Sequence, residues 1–259
     1  MGVSNYIGAA ETISGKFKGC LRPIVFLRED IFETLDLNDK NKLRADCGQL
    51  LAWSKDSLSR MILERINYFA RRAGQPVFAG IEDVFDREQM RQQRAPTDYV
   101  MLRTMVRPRD FIRMFQLVKE NMLERANNPY GKEEVSEAKL ECQSIYNAEP
   151  AYSEWLLEEL RDEWRVQYPR INDLLAALQN HGSTTLSADD FASSLRKIGA
   201  PNSVGEVNGF LRFLYDNSII GFRVGNSQQW KFKCFSKSQG FISPSISFPR
   251  ARLTAGVRV

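Results

Sequence analysis

The residues able to do chemistry are few in this chain, and their spacing excludes more than it supports. His181 is the only histidine, and no G-x-S-x-G elbow accompanies it, so a Ser-His-Asp relay has no poised nucleophile to serve. It stands beside Gly182, where a helix end offers free carbonyl groups to an imidazole. Cys20, Cys47, Cys142 and Cys234 are scattered without a C-x-x-C pair, which leaves no zinc ligand set and reads as reduced thiols rather than a disulfide framework. Gly15-Lys16-Phe17 and Gly131-Lys132-Glu133 lack both the upstream glycine and the following hydroxyl residue of G-x-x-x-x-G-K-[ST]. A phosphate cradle needs successive backbone N–H groups, a lysine and a magnesium ligand, and neither stretch assembles them. No G-x-G-x-x-G follows a strand, which disfavours a dinucleotide site. The acid pairs Glu133-Glu134, Glu158-Glu159 and Asp189-Asp190 are adjacent along helices and read as solvated faces. Catalysis by this chain alone is therefore not expected.

Two stretches remain. Residues 22–30 read Arg-Pro-Ile-Val-Phe-Leu-Arg-Glu-Asp, and residues 107–110 read Arg-Pro-Arg-Asp. In the first, Ile24-Val25-Phe26-Leu27 is apolar without alternation, the pattern of a strand covered on both faces. A strand of that kind needs ladder partners on each side, and no second one precedes the C-terminal region. Such a strand either completes a small irregular sheet or belongs to a larger α/β sheet whose other strands lie outside this polypeptide, and the second reading is favoured. In the second stretch, Pro108 suits the first turn of a helix, where its missing N–H would be unpaired anyway. Arg109 follows at the second position of that turn. Arg28 with Asp30, and Arg109 with Asp98 or Asp110, read equally well as ion pairs that hold an element in place.

Around these stretches the helical period dominates. Helices are expected over 4–18, from Asp30 as N-cap to 35, over 41–70, 97–105, 108–126, 132–147 and 151–167, with the loop 127–131 between. Trp53, Trp155 and Trp164 read as packing residues. After Tyr168-Pro169 three shorter helices follow, at 171–180, from Ser187 to 198, and at 204–217. The second opens with Ser187 and Asp190 in capping-box spacing. Two strand-like runs, 219–224 and 229–235, are joined by Gly225-Asn226-Ser227, which suits a hairpin. Helices followed by a hairpin are the order of a winged helix-turn-helix. The expected class is mainly α: an α/β remnant at 1–40, a helical lid domain at 41–168, a winged helix at 169–236 and a flexible basic tail at 237–259.

Of 36 basic and 32 acidic residues, eight basic but only one acidic lie from Phe210 onward. A basic end on a mildly acidic body suits a polyanion, or is a solvated tail. In the winged region Arg212 lies on the outer side of the third helix. Arg223, Lys231 and Lys233 lie on the wing, where they could meet the phosphates of duplex DNA. Glu206 near the start of that helix would oppose such contacts. There is no long apolar run and no leader pattern, so the expectation is a cytoplasmic protein without a membrane span.

Leu21-Arg22-Pro23-Ile24-Val25-Phe26-Leu27-Arg28-Glu29-Asp30-Ile31-Phe32-Glu33-Thr34-Leu35 bears a family resemblance, together with Asp39-Lys40-Asn41-Lys42, Leu51-Ala52-Trp53 and Arg107-Pro108-Arg109-Asp110-Phe111-Ile112. Up to about Gln167 the chain resembles bacterial STAND-like P-loop ATPases, related to AAA+ and KAP-type enzymes and often linked to defence against mobile DNA. The resemblance implies that 22–28 is the sensor-type strand after Walker B, with Arg28 and Asp30 at its tip. It also implies that Arg107, Pro108 and Arg109 form the nucleotide-sensing lid motif. The Walker motifs themselves are absent from this sequence. ATP and magnesium are therefore implied only together with an ATPase half carried elsewhere, either in the same full-length protein or on a partner. A homo-oligomer is a further possibility the family suggests. Two readings stand beside this one: a free-standing winged-helix DNA-binding regulator, and an interaction module that docks on an ATPase.

Overall fold

A computed structural model describes residues 3–18, 20–28, 31–32, 35–36, 40–46, 48–49, 51–128, 139–183, 185–200, 203–223, 231–232 and 252–255. The protein is mainly helical. It divides into two compact units, Met1–Ala52 and Trp53–Val259.

The first unit holds helix α1, Val3–Lys16, and helix α2, Lys40–Asp46. The strand expected at 22–28 does not form: these residues are neither helix nor strand, and Ile24 and Phe26 are 78% and 81% exposed. Backbone hydrogen bonds to neighbouring strands are what make a strand, and no strand of this unit is among the described residues to supply them. Asp30, the expected N-cap, lies outside the described residues. The single helix expected over 41–70 is two helices, interrupted before Ser54.

The second unit begins with α3, Lys55–Arg72, capped by Ser54. The Ser54 hydroxyl accepts from the Ser57 N–H, while the Ser57 hydroxyl accepts from the Ser54 N–H, satisfying two donors that a helix start leaves open. Beyond α3 the chain folds back because the buried Asn67 side chain accepts from the Phe78 N–H and donates to its carbonyl, at 2.8 and 2.9 Å. Short helix α4, Pro96–Arg103, and the longer α5, Pro108–Ala126, both place a proline in the first turn. Helix α6, Cys142–Trp164, packs along α5. The start of α6 is pinned by the Leu140 N–H donating to the Val84 carbonyl and by the Cys142 N–H donating to the Asp86 carboxylate, both at 2.8 Å.

Helix α6 joins the end of the helix expected over 132–147 to the one expected over 151–167, and residues 132–138 lie outside the described residues. Pro150 lies inside it rather than between helices. Proline removes one backbone donor and crowds the carbonyl four residues earlier. Buried turns on either side nevertheless carry the helix through: Ile145 and Ala148 before it, Tyr152, Leu156 and Leu160 after it, are all buried.

Helices α7 (Ile171–His181), α8 (Ala188–Lys197) and α9 (Val204–Asp216) follow. Gly182 ends α7 with φ +70, a backbone that glycine adopts freely. Ser187 with Asp190, and Ser203 with Glu206, form reciprocal capping boxes at α8 and α9. A small antiparallel sheet accompanies them, its strands β1 (Thr185–Leu186), β2 (Ile220–Arg223) and β3 (Arg252–Ala255) in the order β1-β3-β2. Phe222 is opposite Leu253, and Leu186 is opposite the same residue from the other side. On the far edge of β2, Phe222 exchanges two backbone hydrogen bonds with Lys231. The rest of the expected hairpin strand at 229–235, apart from Phe232, lies outside the described residues. Within the tail expected at 237–259, residues 252–255 form the central strand, and 237–251 and 256–259 lie outside the described residues.

One continuous apolar core runs from α3 to β2, with Leu58, Phe85, Phe111, Met114, Ile145, Leu160, Ile171, Phe191 and Leu211 each buried. Replacing exposed Pro150 by alanine restores the missing N–H without removing core contacts. Pro150→Ala is expected to stabilise the protein by up to about 3 kcal/mol, measured by urea denaturation.

Candidate functional site

The N-terminal turn of α5 gathers the charged residues singled out from the sequence. The approach to it is strained: Val106 has φ +55, a left-handed backbone that a β-branched residue adopts at a cost of about 1–2 kcal/mol. Arg107 follows as the N-cap residue without a side-chain cap. Its Nη1 donates to Glu163 Oε2 at 2.8 Å. Arg109, two residues further, places Nη1 2.6 Å from Glu159 Oε2 and Nη2 4.0 Å from Glu163 Oε2. Glu159 and Glu163 are one turn apart on α6, so both carboxylates face the same arginine pair. Arg109 is 55% exposed while Glu163 is 13% exposed. The guanidinium therefore reaches solvent from a carboxylate that is largely covered.

Beneath this pair lies Asp110, 1% exposed. Neither carboxylate oxygen has a hydrogen-bond partner of normal geometry, although the Met105 backbone approaches closely enough to favour the charged form slightly. Burial pushes the Asp110 carboxyl up to about 6, against the opposing pull of Arg107 and Arg109. The hydroxyl of Tyr152, 3% exposed, also lacks a hydrogen-bond partner. Burial, and then the neighbouring Asp110, hold its pKa above that of an ordinary tyrosine. The site thus pairs two outward arginines with two glutamates over a carboxylate that water does not reach.

Of the residues predicted from sequence, Arg107, Pro108 and Arg109 come together here. Arg28 is exposed in the first unit, where its carbonyl accepts from the Phe32 N–H at 2.9 Å. Asp30 and Lys233 lie outside the described residues. Arg212 is 63% exposed and lies 3.7 Å from Asp216 on its own helix. Arg223 is the last residue of β2, and Lys231 is exposed on the far edge of that strand. Arg212, Arg223 and Lys231 thus belong to other elements than the arginine turn. Asp98, one of the partners expected for Arg109, pairs with Lys55 instead. Glu159, read as part of a solvated face, is half-buried against Arg109, whereas its neighbour Glu158 is exposed. His181 places Nε2 3.2 Å from the Thr185 carbonyl oxygen and serves the α7–β1 turn.

The pairing of Glu159 and Glu163, the role of Tyr152 and the burial of Asp110 were not singled out from the sequence. The four-residue spacing of Glu159 and Glu163 opposite an Arg-x-Arg turn was a usable signal. The burial of Asp110 had none, because an aspartate in a first helical turn ordinarily faces water. No group of His, Cys, Asp or Glu among the described residues could hold a metal ion, and no described helix is long and apolar enough to cross a membrane.

Residues 56–161, which include α5 and most of α6, match the model of a family described as the FunZ-associated C-terminal helical domain. No curated protein and no solved structure gave a match.

The raised Asp110 pKa carries a pH dependence. The folded protein holds this proton more tightly than the unfolded chain, so the contribution favours folding fully below about pH 4. It is lost as pH rises through about 6. The difference amounts to about 3 kcal/mol at neutral pH. Asp110→Asn is expected to raise stability at about pH 7.5 and to flatten the change between about pH 4.5 and 7.5, measured by chemical denaturation at both values.

Proposed function

We propose that this chain is a non-catalytic, nucleotide-responsive portion of a STAND-like P-loop ATPase, acting in the cytoplasm with an ATPase half that carries the Walker motifs. The observation that carries this reading is the turn Arg107-Pro108-Arg109, whose two guanidiniums are held by Glu159 and Glu163 at the protein surface. A guanidinium fork pairs with carboxylate or phosphate oxygens in the same geometry. A phosphate brought to this surface would compete with the glutamates for the arginines. The strained Val106 and the buried Asp110 raise the free energy of the turn in its present place, which favours shifting it. The match to a C-terminal helical domain supports the placement of this region behind another domain.

In this reading α7 to α9 with β1 to β3 form a winged helix that packs and regulates. Glu206 caps α9, and Arg212 lies near Asp216, so the outward side of α9 carries little net charge. That suits a protein surface better than a phosphate backbone. The rival reading, a DNA-binding regulator, rests on Lys231 and the basic residues of the C-terminal end.

The test is recovery of the tagged full chain from its native cells with and without ATP. A partner bearing G-x-x-x-x-G-K-[ST] is expected, with ATP altering its retention. Arg107→Ala with Arg109→Ala should keep the partner and lose the ATP effect. Recovery of no such ATPase would sink the proposal, as would tight binding of a labelled ATP analogue by the chain alone. For the rival reading, salt-sensitive binding of duplex DNA that Lys231→Glu weakens is the outcome that would favour it.

Gly209 provides a separate check on α9. A Cβ at this mid-helix glycine would meet nothing within 4 Å. Gly209→Ala should therefore raise stability by about 0.5–1 kcal/mol, read as a higher melting temperature.

A further inference from the structure

The C-terminal half of α3 exposes a face that the core does not use. Arg65, Tyr68, Phe69 and Arg72 recur at the spacing that lines one side of a helix. Tyr68 and Phe69 are 49% and 60% exposed, although aromatic rings of this size ordinarily contribute most when covered. Their rings stand nearly perpendicular, at 82° with centroids 5.2 Å apart, and so form a corner. A shallow open cleft of about 290 Å³ lies there, lined by Glu64, Arg65, Tyr68 and Phe69. Arg72 steadies the tyrosine, donating from Nη1 to its hydroxyl at 3.2 Å and lying 5.7 Å from the ring centre. Arg60 and Arg65 are exposed on the same helix, and Arg71 lies 3.9 Å from Glu64, the one acid of this group.

From this arrangement we infer that the exposed face of α3 binds single-stranded nucleic acid, with an unpaired base in the Tyr68–Phe69 corner and the flanking phosphates on the arginines. Exposed rings can stack only on bases that are not already stacked in a duplex, and the stacking tolerates any sequence. Arg65, Arg71 and Arg72 against Glu64 give the positive balance a phosphate backbone requires. The surface is separate from the arginine turn of α5 and from the wing, and the inference does not depend on the proposed ATPase role.

The experiment is fluorescence anisotropy of the full chain with a labelled oligothymidylate or oligouridylate of about 15 nucleotides, at low and physiological salt. Salt-sensitive binding of either is expected. Phe69→Ala and Tyr68→Ala should each weaken it at least about fivefold, Arg65→Glu should weaken it further, and Lys231→Glu should leave it unchanged. Melting temperatures of these variants should match that of the parent, because the side chains lie outside the core. Absence of binding would overturn the inference, as would binding that survives Phe69→Ala and Arg65→Glu together, or that is lost only with Lys231→Glu. Equal competition by oligoglutamate would overturn it too, by assigning the face to an acidic protein.

Discussion

Helices α5 and α6 pack around a buried carboxylate whose only relief, besides the neighbouring arginines, is the weak approach of the Met105 backbone. Asp110 reaches that position because its neighbours Phe111 and Met114 are drawn into the core against the buried face of α6. Apolar burial on this scale outweighs the cost of one desolvated acid. Arg107 and Arg109, just before it in the chain, soften that cost from the surface, and the glutamates of α6 then fix the arginines. The order of dependence is therefore hydrophobic packing first, the buried charge second, and the surface ion pairs last. Val106 belongs to the same chain of causes, since its left-handed backbone turns the chain from the end of α4 into the start of α5.

The parts of the fold that depend on local chemistry were legible in the sequence. Pro108 marks the first turn of α5, Ser187 with Asp190 caps α8, and Gly182 closes α7, each because the signal and the structure lie within a few residues. Pairings between distant segments were not. The run Ile24-Val25-Phe26-Leu27 has every residue a strand favours, yet strand formation is decided by partners and not by propensity. Conversely, 252–255 follows a stretch rich in serine and proline, and nothing local announces that it will sit between β1 and β2. The break expected between 147 and 151 is absent for the same kind of reason, because tertiary burial of α6 overrides the local preference of Pro150.

The candidate site divides along the same line. The Arg-Pro-Arg-Asp motif is a local feature, and its placement at a helix start followed from it. Which carboxylates the arginines would meet depended on how α5 lies against α6; the sequence offered Asp98 and Asp110 for Arg109, with Glu159 read only as part of a solvated face. The burial of Asp110 is a property of that packing and of nothing in its own neighbourhood.

Aromatic contacts bridge the helical body and the terminal helices. Trp164 meets Phe213 edge to face at 5.2 Å, Tyr168 stacks on Phe213 at 3.9 Å, and the Arg170 guanidinium lies 4.7 Å from the Phe210 ring centre. The turn between α6 and α7 thus acts as a welded joint instead of a hinge. A fragment cut at that turn would carry a bare aromatic surface on both pieces, so an expression boundary for the last three helices belongs upstream of Trp164, within the body of α6.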